Sequence, residues 1–438
     1  MKWIALIVTT LLVLCVGVGR GLSAPLTPAD VKLDGMKVTV VSLKATVEIE
    51  PLPVQKAEAD VTLKAEKPSY RGPAWLPNVA WTWGSLTPGS LVVTDADKPD
   101  AKLVEGKDYL VDPLGSIGGV AGSPAAGKKV HCAFTWTESR IDLAEQAADG
   151  KITVKKGTPD AKGQPHLPEF TAGSTPLFSV YLAPNTTKLT MDNVNLIDLK
   201  AIAEAPVLNA EALKGVKAKL ASGKGFTIAF FGDSITAQMP KDFRDGKGSF
   251  VDRFTKYLET KYADQKVVVT PREKVVPAAA KQIVVVKAGV GGDDSAGALK
   301  RIDKDVLAHK PDAVVIMFGV NDENRRGNGN SVPVPAYKKN LEALVDKARA
   351  AGCEPILMTT SMKNRGWSSC VGNLHEYAAA AREVGKDKKV CVVDNFKSWE
   401  DAPKRGYNYM VLLGTCLNHP VDLGHQIFFD NLKAAFEK

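Results

Sequence analysis

The sequence predicts a β-rich, sandwich-like region followed by an α/β region whose parallel sheet is covered by helices on both faces. Its 438 residues, 45% hydrophobic and 24% charged, provide apolar material for more than one core. Up to about Leu199 the chain consists of short runs in which apolar and polar residues alternate. Beyond Leu199, nearly continuous apolar runs alternate with segments of helical periodicity, which is typical of buried parallel strands. We therefore expect a leader at 1–24, a β-rich domain at 25–199 and an α/β domain at 200–438.

The leader has the layout of a secretory signal peptide. Lys2 precedes an apolar run from Trp3 to Val18, and small residues follow this run. The run is shorter than the roughly 20 apolar residues that cross a bilayer, so no stable membrane span is expected. Cys15 follows Leu14 instead of the small residue that precedes a lipidated cysteine, which disfavours a lipoprotein. The predicted location is secreted or periplasmic.

The charges and the cysteines argue against two classes of ligand. The net charge of +8 comes from lysines spread along the chain, without the basic patch that nucleic-acid binding requires. Of the six cysteines, five lie beyond the leader, and no Cys-x-x-Cys pair suggests a zinc site. We therefore expect no nucleic-acid partner and no metal. One or two disulfides would suit an oxidising compartment, with a connectivity that the spacing leaves open.

Strands in the β-rich region are predicted where an alternating run is bounded by turn-forming or polar residues. Trp81 and Trp83 share one face of such a strand, with Trp75 nearby and Trp136 on another strand. Tryptophans of this kind stack on sugars in some proteins, but burial in a core is the more frequent outcome. The predicted strands are Lys37–Val41, Ala45–Ile49, Ala59–Ala65, Ala80–Trp83, Leu91–Val93, Val130–Trp136, Lys151–Val154 and Leu177–Tyr181.

The α/β region is predicted to contain five strands with helices between them. The helix after the first strand has Val251, Phe254 and Leu258 on one face, at spacings of three and four. Gly352 is expected to end the helix after the third strand, and a last helix is expected to begin near Leu423. The predicted strands are Phe226–Phe231, Ile283–Val286, Ala313–Phe318, Ile356–Thr359 and Val390–Val393, and the other helices are expected to bury Ala298, Leu299, Ile302 and Val306, then Tyr337, Leu341, Leu344, Val345 and Ala348, and finally Ile427, Leu432 and Phe436.

Three loops of this region each place a residue suited to catalysis just after a strand. Ser234 follows the first strand within Gly232-Asp233-Ser234, Gly292 lies in the glycine-rich turn after the second, and Asn321 follows the third. Ligands bind at the carboxyl ends of the strands in open parallel sheets. A glycine lets a backbone N–H approach a substrate, and an asparagine amide donates to an oxygen. Each loop alone is equally well explained as a helix cap or a connecting turn.

Together with Asn418-His419-Pro420 near the C terminus, these blocks resemble the SGNH (GDSL-like) serine hydrolase family. The resemblance covers about Gly225 to the C terminus and does not extend into the β-rich region. It implies a flavodoxin-like three-layer domain in which strands two, one and three are neighbours. In that order the three loops would converge at one edge of the sheet.

The resemblance also implies a role for each residue of the four blocks. Ser234 would be the nucleophile of acyl transfer and His419 the base that takes its proton. The backbone N–H groups of Ser234 and Gly292, with the side chain of Asn321, would stabilise the oxyanion. Such a mechanism needs neither a metal nor an organic cofactor.

One position departs from the family's pattern. Cys416 lies three residues before His419, where the family usually has an aspartate that orients the imidazole, and a thiol replaces a carboxylate poorly. Three interpretations follow: a Ser-His dyad supported by a backbone carbonyl, a carboxylate from elsewhere such as Asp422 or Asp394, or an inactive descendant. We favour the dyad because the other blocks are intact. Asp422 itself is interpreted first as the N-cap of the last helix.

Three other polar residues near these blocks receive structural interpretations. Asp233 and Asp322 are expected to organise their loops by side-chain to backbone hydrogen bonds. His425, in the last helix, is expected to pack or to lie on the surface.

The expected function is that of an exported serine esterase acting on short acyl esters, with acetyl groups on polysaccharide as the favoured substrate. A lipase- or thioesterase-type hydrolase of the same family is the first alternative. A non-catalytic glycan-binding envelope protein with a decayed hydrolase domain is the second, suggested by Cys416 and the tryptophans. The α/β-hydrolase motif Gly-x-Ser-x-Gly is disfavoured because Thr236 occupies the place of its second glycine.

Overall fold

The computed structural model describes residues 24–70, 72–79, 82–202, 204–414 and 417–438. The predicted signal peptide, with Cys15, lies outside the described residues. So do Trp81 and Cys416, and the predicted strand Ala80–Trp83 lies there in part, with its described residues in a bend and a turn.

The first half of the chain consists of short antiparallel strands, as the alternating pattern predicts. They form four small sheets with the orders β1-β2-β3, β4-β10-β6-β7, β5-β9-β8 and β12-β11-β13-β14. The strands are β1 Val31–Asp34, β2 Lys37–Val40, β3 Ala45–Glu48, β4 Gln55–Thr62, β5 Ala74–Trp75, β6 Val92–Asp95, β7 Lys98–Lys102, β8 Tyr109–Val111, β9 Ser116–Gly119, β10 Lys129–Trp136, β11 Arg140–Gln146, β12 Ile152–Lys155, β13 Thr175–Leu182 and β14 Val194–Leu196.

These sheets pack in two pairs, and each pair has its own core. One core joins β1, β2 and β3 to β13 and β14 through residues such as Val38 and Phe178. The other joins the sheet of β10 to that of β9 and contains Ile117 and Trp136, so Trp136 is a core residue as expected. The single sandwich-like domain of the sequence prediction is thus divided into two smaller packed units.

The second half of the chain forms one large sheet with helices on both faces. Its strands are β15 Val207–Leu208, β16 Phe226–Gly232, β17 Lys266–Pro271, β18 Gln282–Gly289, β19 Ala313–Met317, β22 Glu354–Met358 and β23 Cys391–Val393, with β20 Arg325–Arg326 and β21 Gly329–Asn330 in one hairpin and β24 Leu413–Gly414 and β25 His419–Pro420 in another. The helices are α1 Lys214–Ala221, α2 Ser234–Ala237, α3 Phe250–Lys261, α4 Ser295–Asp305, α5 Val334–Ala350, α6 Leu374–Lys388, α7 Asn395–Glu400 and α8 Asp422–Glu437.

The order of the large sheet is β15-β23-β22-β19-β16-β18-β17. The predicted neighbours of the first strand are therefore confirmed, because β16 pairs in parallel with both β18 and β19. Two edge strands were not predicted: β17 extends the sheet beyond β18, and the two-residue β15 runs antiparallel to β23 and makes the sheet mixed.

Alternate residues of β16 face two different cores, which explains why the whole strand is apolar. Phe230 packs with α3 and α8 on one face, whereas Phe231 packs with α4, α5 and α6 on the other. The helix predictions are confirmed: Phe254 is fully buried on α3, and α5 ends just before Gly352, whose φ of 76° is the left-handed conformation that favours glycine.

The β-rich half also contacts the core of the large sheet. Ile141 on β11 and Tyr181 on β13 belong to the same buried cluster as Phe230. The Ser179 hydroxyl on β13 donates to the Gly406 carbonyl at 2.6 Å. Within the described part of the chain, no helix is both long and apolar enough to cross a membrane, and the cysteines at 132, 353, 370 and 391 are buried and free of disulfides.

Candidate active site

Ser234 lies at the carboxyl end of the buried strand β16, as the first residue of the short helix α2. The turn between strand and helix is held by Asp233, whose Oδ1 accepts the Ile235 N–H at 2.9 Å. This is the side-chain to backbone hydrogen bond that the sequence predicts for Asp233, and it makes Asp233 the N-cap of α2. Because Ser234 is the first helical residue, its own N–H has no partner within the helix. Its side chain is half-buried.

His419 lies on β25, just before α8, and its Nε2 is 2.7 Å from the Oγ of Ser234. This distance joins residues 185 positions apart in the chain. A hydroxyl hydrogen-bonded to an imidazole is the arrangement in which the ring can accept the proton as the oxygen attacks.

Burial lowers the pKa of His419 below its ordinary value of 6.5, since the protonated ring loses hydration. The charge of Asp242 opposes this shift and favours protonation. The balance leaves the ring neutral at neutral pH, which is the form that a general base requires.

The glycine-rich loop after β18 lies directly against the serine. The Val290 N–H donates to the Gly232 carbonyl at 3.0 Å, so the two loops are joined at the ends of their strands. A Cβ on Gly289 would lie 2.6 Å from the Ala237 nitrogen, so only glycine allows this approach. Gly292 has a φ of 76°, and apart from its two chain neighbours no residue has an atom within 4 Å of the position of its missing Cβ. The space beside Gly292 is therefore open.

Asn321 lies in the loop after β19 and is bonded to the loop of Gly292. Its Nδ2 donates to the carbonyl of Asp293 at 2.9 Å, and its Oδ1 accepts from Asn324 at 3.1 Å. An amide nitrogen has two hydrogens, so one N–H of Asn321 is left for another acceptor. The structure thus joins the three predicted loops through hydrogen bonds between neighbours.

The described carboxylates near the C terminus are engaged with groups other than His419. The predicted N-cap role of Asp422 is wrong, because Asp422 is the first residue of α8 and Val421 is the N-cap. The carboxylate of Asp422 accepts the Asp245 N–H at 3.4 Å. Asp394 caps α7 and pairs with Arg382 at 2.7 Å. Neither forms an ion pair with His419 among the described residues.

Buried carboxylates support two of the predicted loops. Asp322 accepts the Ser295 N–H at 3.0 Å, which confirms its predicted structural role and ties the Asn321 loop to the start of α4. Burial raises the pKa of Asp322 to about 6 and that of Asp233 to about 7.

Sequence reasoning missed a buried network that connects the serine helix to the histidine strand. His425 is fully buried, and its Nδ1 accepts the Phe250 N–H at 3.0 Å. Because a backbone N–H can only donate, the proton of the neutral ring must be on Nε2, which donates to the Gln238 Oε1 at 2.8 Å. Gln238, one residue beyond α2, in turn donates to the Pro420 carbonyl at 3.3 Å.

Arg301 is the second residue that the sequence did not reveal. It lies on α4, and its guanidinium donates to the carbonyls of Gly232 at 2.9 Å and Ala288 at 2.8 Å. It also pairs with Asp293 at 2.6 Å and lies 4.3 Å from the ring centre of Phe231. One cation therefore holds the ends of β16 and β18 and the residue after Gly292. A charged residue on a helix carries no sequence signal for such contacts.

The described residues contain no group of three or more His, Cys, Asp or Glu side chains that could hold a metal ion.

Comparison with known proteins places this half of the chain in a family. A family model described as the GDSL-like lipase/acylhydrolase family matches residues 230–427. The uncharacterized lipoprotein YqeF of Bacillus subtilis (strain 168) is 30% identical over 241 residues, which covers 48% of this chain and 90% of that protein. An acetylxylan esterase of Geobacillus stearothermophilus is 27% identical over 211 residues, covering 47% of this chain and 91% of that protein. Among solved structures, the lipase/acylhydrolase from Enterococcus faecalis is 24% identical, covers 47% of this chain and 93% of its own, and has a TM-score of 0.37.

The matched residues begin within β16 and end within α8, so they include all four blocks that the sequence singled out. The relative from Bacillus subtilis is matched over nearly its whole length. The chain belongs to the GDSL-like lipase/acylhydrolase family.

Proposed function

We propose that this protein is an exported serine esterase that removes short acyl groups, acetyl above all, from carbohydrate. The observation that carries the proposal is the 2.7 Å contact between the Nε2 of His419 and the Oγ of Ser234, at the carboxyl end of the parallel strand β16. The N-terminal sequence pattern supports export. We further propose that residues 25–199 form an accessory β-rich region beside the hydrolase domain at 200–438.

In the first step His419 takes the proton of Ser234 as Oγ attacks the ester carbonyl carbon. The carbonyl π electrons move to oxygen and form a tetrahedral oxyanion. The backbone N–H groups of Ser234 and Gly292, with the remaining N–H of Asn321, donate to that oxygen. As the ester C–O bond breaks, His419 gives its proton to the leaving alcohol, and the acyl group stays on Ser234.

In the second step water replaces the alcohol. His419 removes a proton from water, the resulting oxygen attacks the acyl carbon, and the same donors hold the second oxyanion. The Ser234 Oγ then leaves with the proton returned by His419, and a carboxylic acid is released. In this cycle the proton moves only between the serine, the histidine, water and the leaving alcohol, so a carboxylate would serve only to orient the ring of His419 and to stabilise its protonated form. Because Asp422 and Asp394 are engaged with other groups, we propose a Ser-His dyad in which a backbone carbonyl supports the ring.

Acetyl esters on carbohydrate are favoured by a relative and by aromatic residues of the chain. The relative from Geobacillus stearothermophilus is named an acetylxylan esterase. In this chain Trp367 lies in the loop after β22, with Tyr70 of the β-rich half edge-on at 5.9 Å. Trp83, also from the β-rich half, lies against Gly366, where a Cβ would be 3.3 Å from its ring. Aromatic rings suit the apolar faces of sugars.

The loop that carries Trp367 is bonded to two of the catalytic loops. The Asn364 N–H donates to the Leu417 carbonyl at 2.7 Å, two residues before His419. The Arg325 N–H donates to the Ser369 carbonyl at 2.9 Å, four residues after Asn321. These contacts support a sugar-bearing substrate in which the ring lies near the aromatic residues while the acetyl group reaches Ser234.

A fluorophosphonate probe tests the catalytic proposal directly. The full protein should be labelled on one serine, and Ser234→Ala should remove the label, whereas Ser222→Ala, at an exposed serine, should leave it unchanged. Protein that folds but takes no label would favour the non-catalytic alternative.

A substrate panel then separates the classes of ester. Acetylated xylo-oligosaccharides, acyl thioesters and lysolipids should be compared by kcat/KM, with the highest value expected for the acetylated sugar. A preference for thioesters or lysolipids would overturn the carbohydrate assignment and leave the serine esterase.

A further inference from the structure

A buried lysine lies behind the predicted oxyanion donor. Lys363, in the loop after β22, has a side chain that is only 1% exposed. Its ammonium donates to the Val320 carbonyl at 3.0 Å, to the Asn324 Oδ1 at 2.7 Å and to the carboxylate of Glu323. These acceptors come from the residue before Asn321 and from the second and third residues after it. All three hydrogens of the ammonium are therefore used around this one asparagine.

The ammonium also fixes which way two amides point. An ammonium has no acceptor, so the oxygen of Asn324 must face Lys363 and its nitrogen must face away. That nitrogen donates to the Oδ1 of Asn321 at 3.1 Å. The oxygen of Asn321 is thereby engaged, and its nitrogen faces Asp293, to whose carbonyl it donates at 2.9 Å. If the amide of Asn321 were flipped, its nitrogen would face the nitrogen of Asn324 and its oxygen would face the carbonyl of Asp293, so neither contact would be a hydrogen bond.

The charge of Lys363 is balanced without disturbing this chain of amides. Glu323 is fully buried and accepts from Lys363 with one oxygen. Its other oxygen accepts the Gly372 N–H and the Cys370 thiol at 3.2 Å. Burial raises the pKa of Cys370 to about 11, so its sulfur keeps the proton that it donates. A buried pair that is satisfied in this way holds its partners in one arrangement.

We propose that Lys363, acting through Asn324, is a positioning residue that keeps the amide nitrogen of Asn321 directed at the developing oxyanion. This inference rests on the proposed esterase function. The cation polarises the amides in series, so each N–H along the chain becomes a stronger donor. Lys363 touches no reacting atom in this scheme, because its effect reaches the substrate only through the orientation of Asn321.

The sharpest test is the nearly isosteric substitution Asn324→Asp. A carboxylate at 324 keeps the contact with Lys363 but has no hydrogen for Asn321, whose amide is then expected to turn its nitrogen toward the new carboxylate. The oxyanion would face an oxygen instead of a donor. We expect kcat to fall roughly 100-fold, the effect of losing one oxyanion donor, with KM little changed, in a variant whose circular dichroism spectrum shows that it is folded.

Three further variants separate positioning from general damage. Asn431→Asp places a carboxylate at another buried asparagine, which donates to Asn395 and Ser398 and to no residue of the four blocks, and should leave kcat unchanged. The double variant Lys363→Met with Glu323→Gln removes both charges of the buried pair. It should also lower kcat, with a smaller change in KM. Adding Asn324→Asp to Asn321→Ala should cost little beyond the single change, because both act on one donor.

The outcomes distinguish this inference from the function on which it rests. Wild-type kcat in a folded Asn324→Asp variant, or full additivity with Asn321→Ala, would overturn the positioning role while leaving the esterase intact. If the wild-type protein hydrolysed esters no faster than Ser234→Ala, both the esterase function and the positioning role would be overturned. That comparison does not involve the variants at positions 321, 323, 324 and 363.

Discussion

Replacing Gln238 by methionine removes the link between the serine helix and the histidine strand while keeping nearly the same side-chain length. In the structure the amide accepts from the Nε2 of His425 at 2.8 Å and donates to the Pro420 carbonyl at 3.3 Å. Pro420 follows His419 directly and Gln238 follows the helix of Ser234, so this side chain bridges the two elements that carry the Ser234–His419 pair. We expect the substitution to lower both the free energy of unfolding and the turnover number.

The size of the stability loss follows from what the substitution leaves unpaired. His425 is fully buried, and its Nδ1 already accepts the Phe250 N–H, so the ring has no alternative tautomer to adopt. Its Nε2–H would be left without a partner, as would the buried Pro420 carbonyl. At about 1–3 kcal/mol for each buried polar group left unsatisfied, and with the longer bond at the low end, the loss should be about 2–4 kcal/mol.

Urea denaturation followed by tryptophan fluorescence measures the loss, and hydrolysis of p-nitrophenyl acetate measures kcat. Gln164→Met, at a half-buried glutamine of the β-rich half, is a matched control for the loss of an amide. His425→Phe keeps an aromatic ring stacked on Phe250 but removes the N–H that donates to Gln238. The double variant with Gln238→Met should therefore lose less unfolding free energy than the sum of the two single variants.

The reasoning would be refuted by an unfolding free energy of Gln238→Met within about 0.5 kcal/mol of wild type, since that is the range of surface substitutions without structural consequence. Strict additivity with His425→Phe would likewise show that the two side chains do not share a hydrogen bond.

Four further outcomes are expected from the same geometry. Asn321→Ala should lower kcat, because the transition state loses about 3–4 kcal/mol of stabilisation. Near-wild-type turnover in this variant would show that Asn321 is not part of the site. In a pH profile of kcat/KM, the midpoint of the acid limb should lie below the ordinary histidine pKa of 6.5, because burial of His419 disfavours its protonated, inactive form. Asp242→Asn should move this midpoint to a still lower pH, because the charge of Asp242 favours the protonated ring. A midpoint above pH 6.5 in the wild-type protein would contradict this account. Cys416→Asp should preserve or raise activity, and its loss would show that the alignment of this position is wrong. Arg301→Met should lower thermal stability and kcat together, as measured by calorimetry and ester hydrolysis, because the carbonyls at the ends of β16 and β18 lose their shared donor.

Most of the α/β architecture followed from local pattern. A strand such as β16, buried on both faces, must be apolar at every position, and an amphipathic helix such as α3 must repeat every three to four residues. The two edge strands β15 and β17 escaped this reasoning because one has only two residues and the other is partly exposed. The sequence predicts one sandwich for the β-rich half, whereas the structure has two packed units, since short alternating runs show which residues turn inward but not which sheet covers them.

The sequence by itself determined the residue types at the strand ends, including Ser234, Gly292, Asn321 and His419. Each motif is a local string, and the carboxyl ends of parallel strands meet at one edge whatever the details of packing. Only the tertiary structure decided what holds these residues in place. Gln238 bonds to Pro420, Arg301 to Gly232 and Lys363 to Asn324, which are 182, 69 and 39 positions away in the chain. A hydrogen bond depends on angstroms in space, and a one-dimensional pattern of polar and apolar residues contains no such distances.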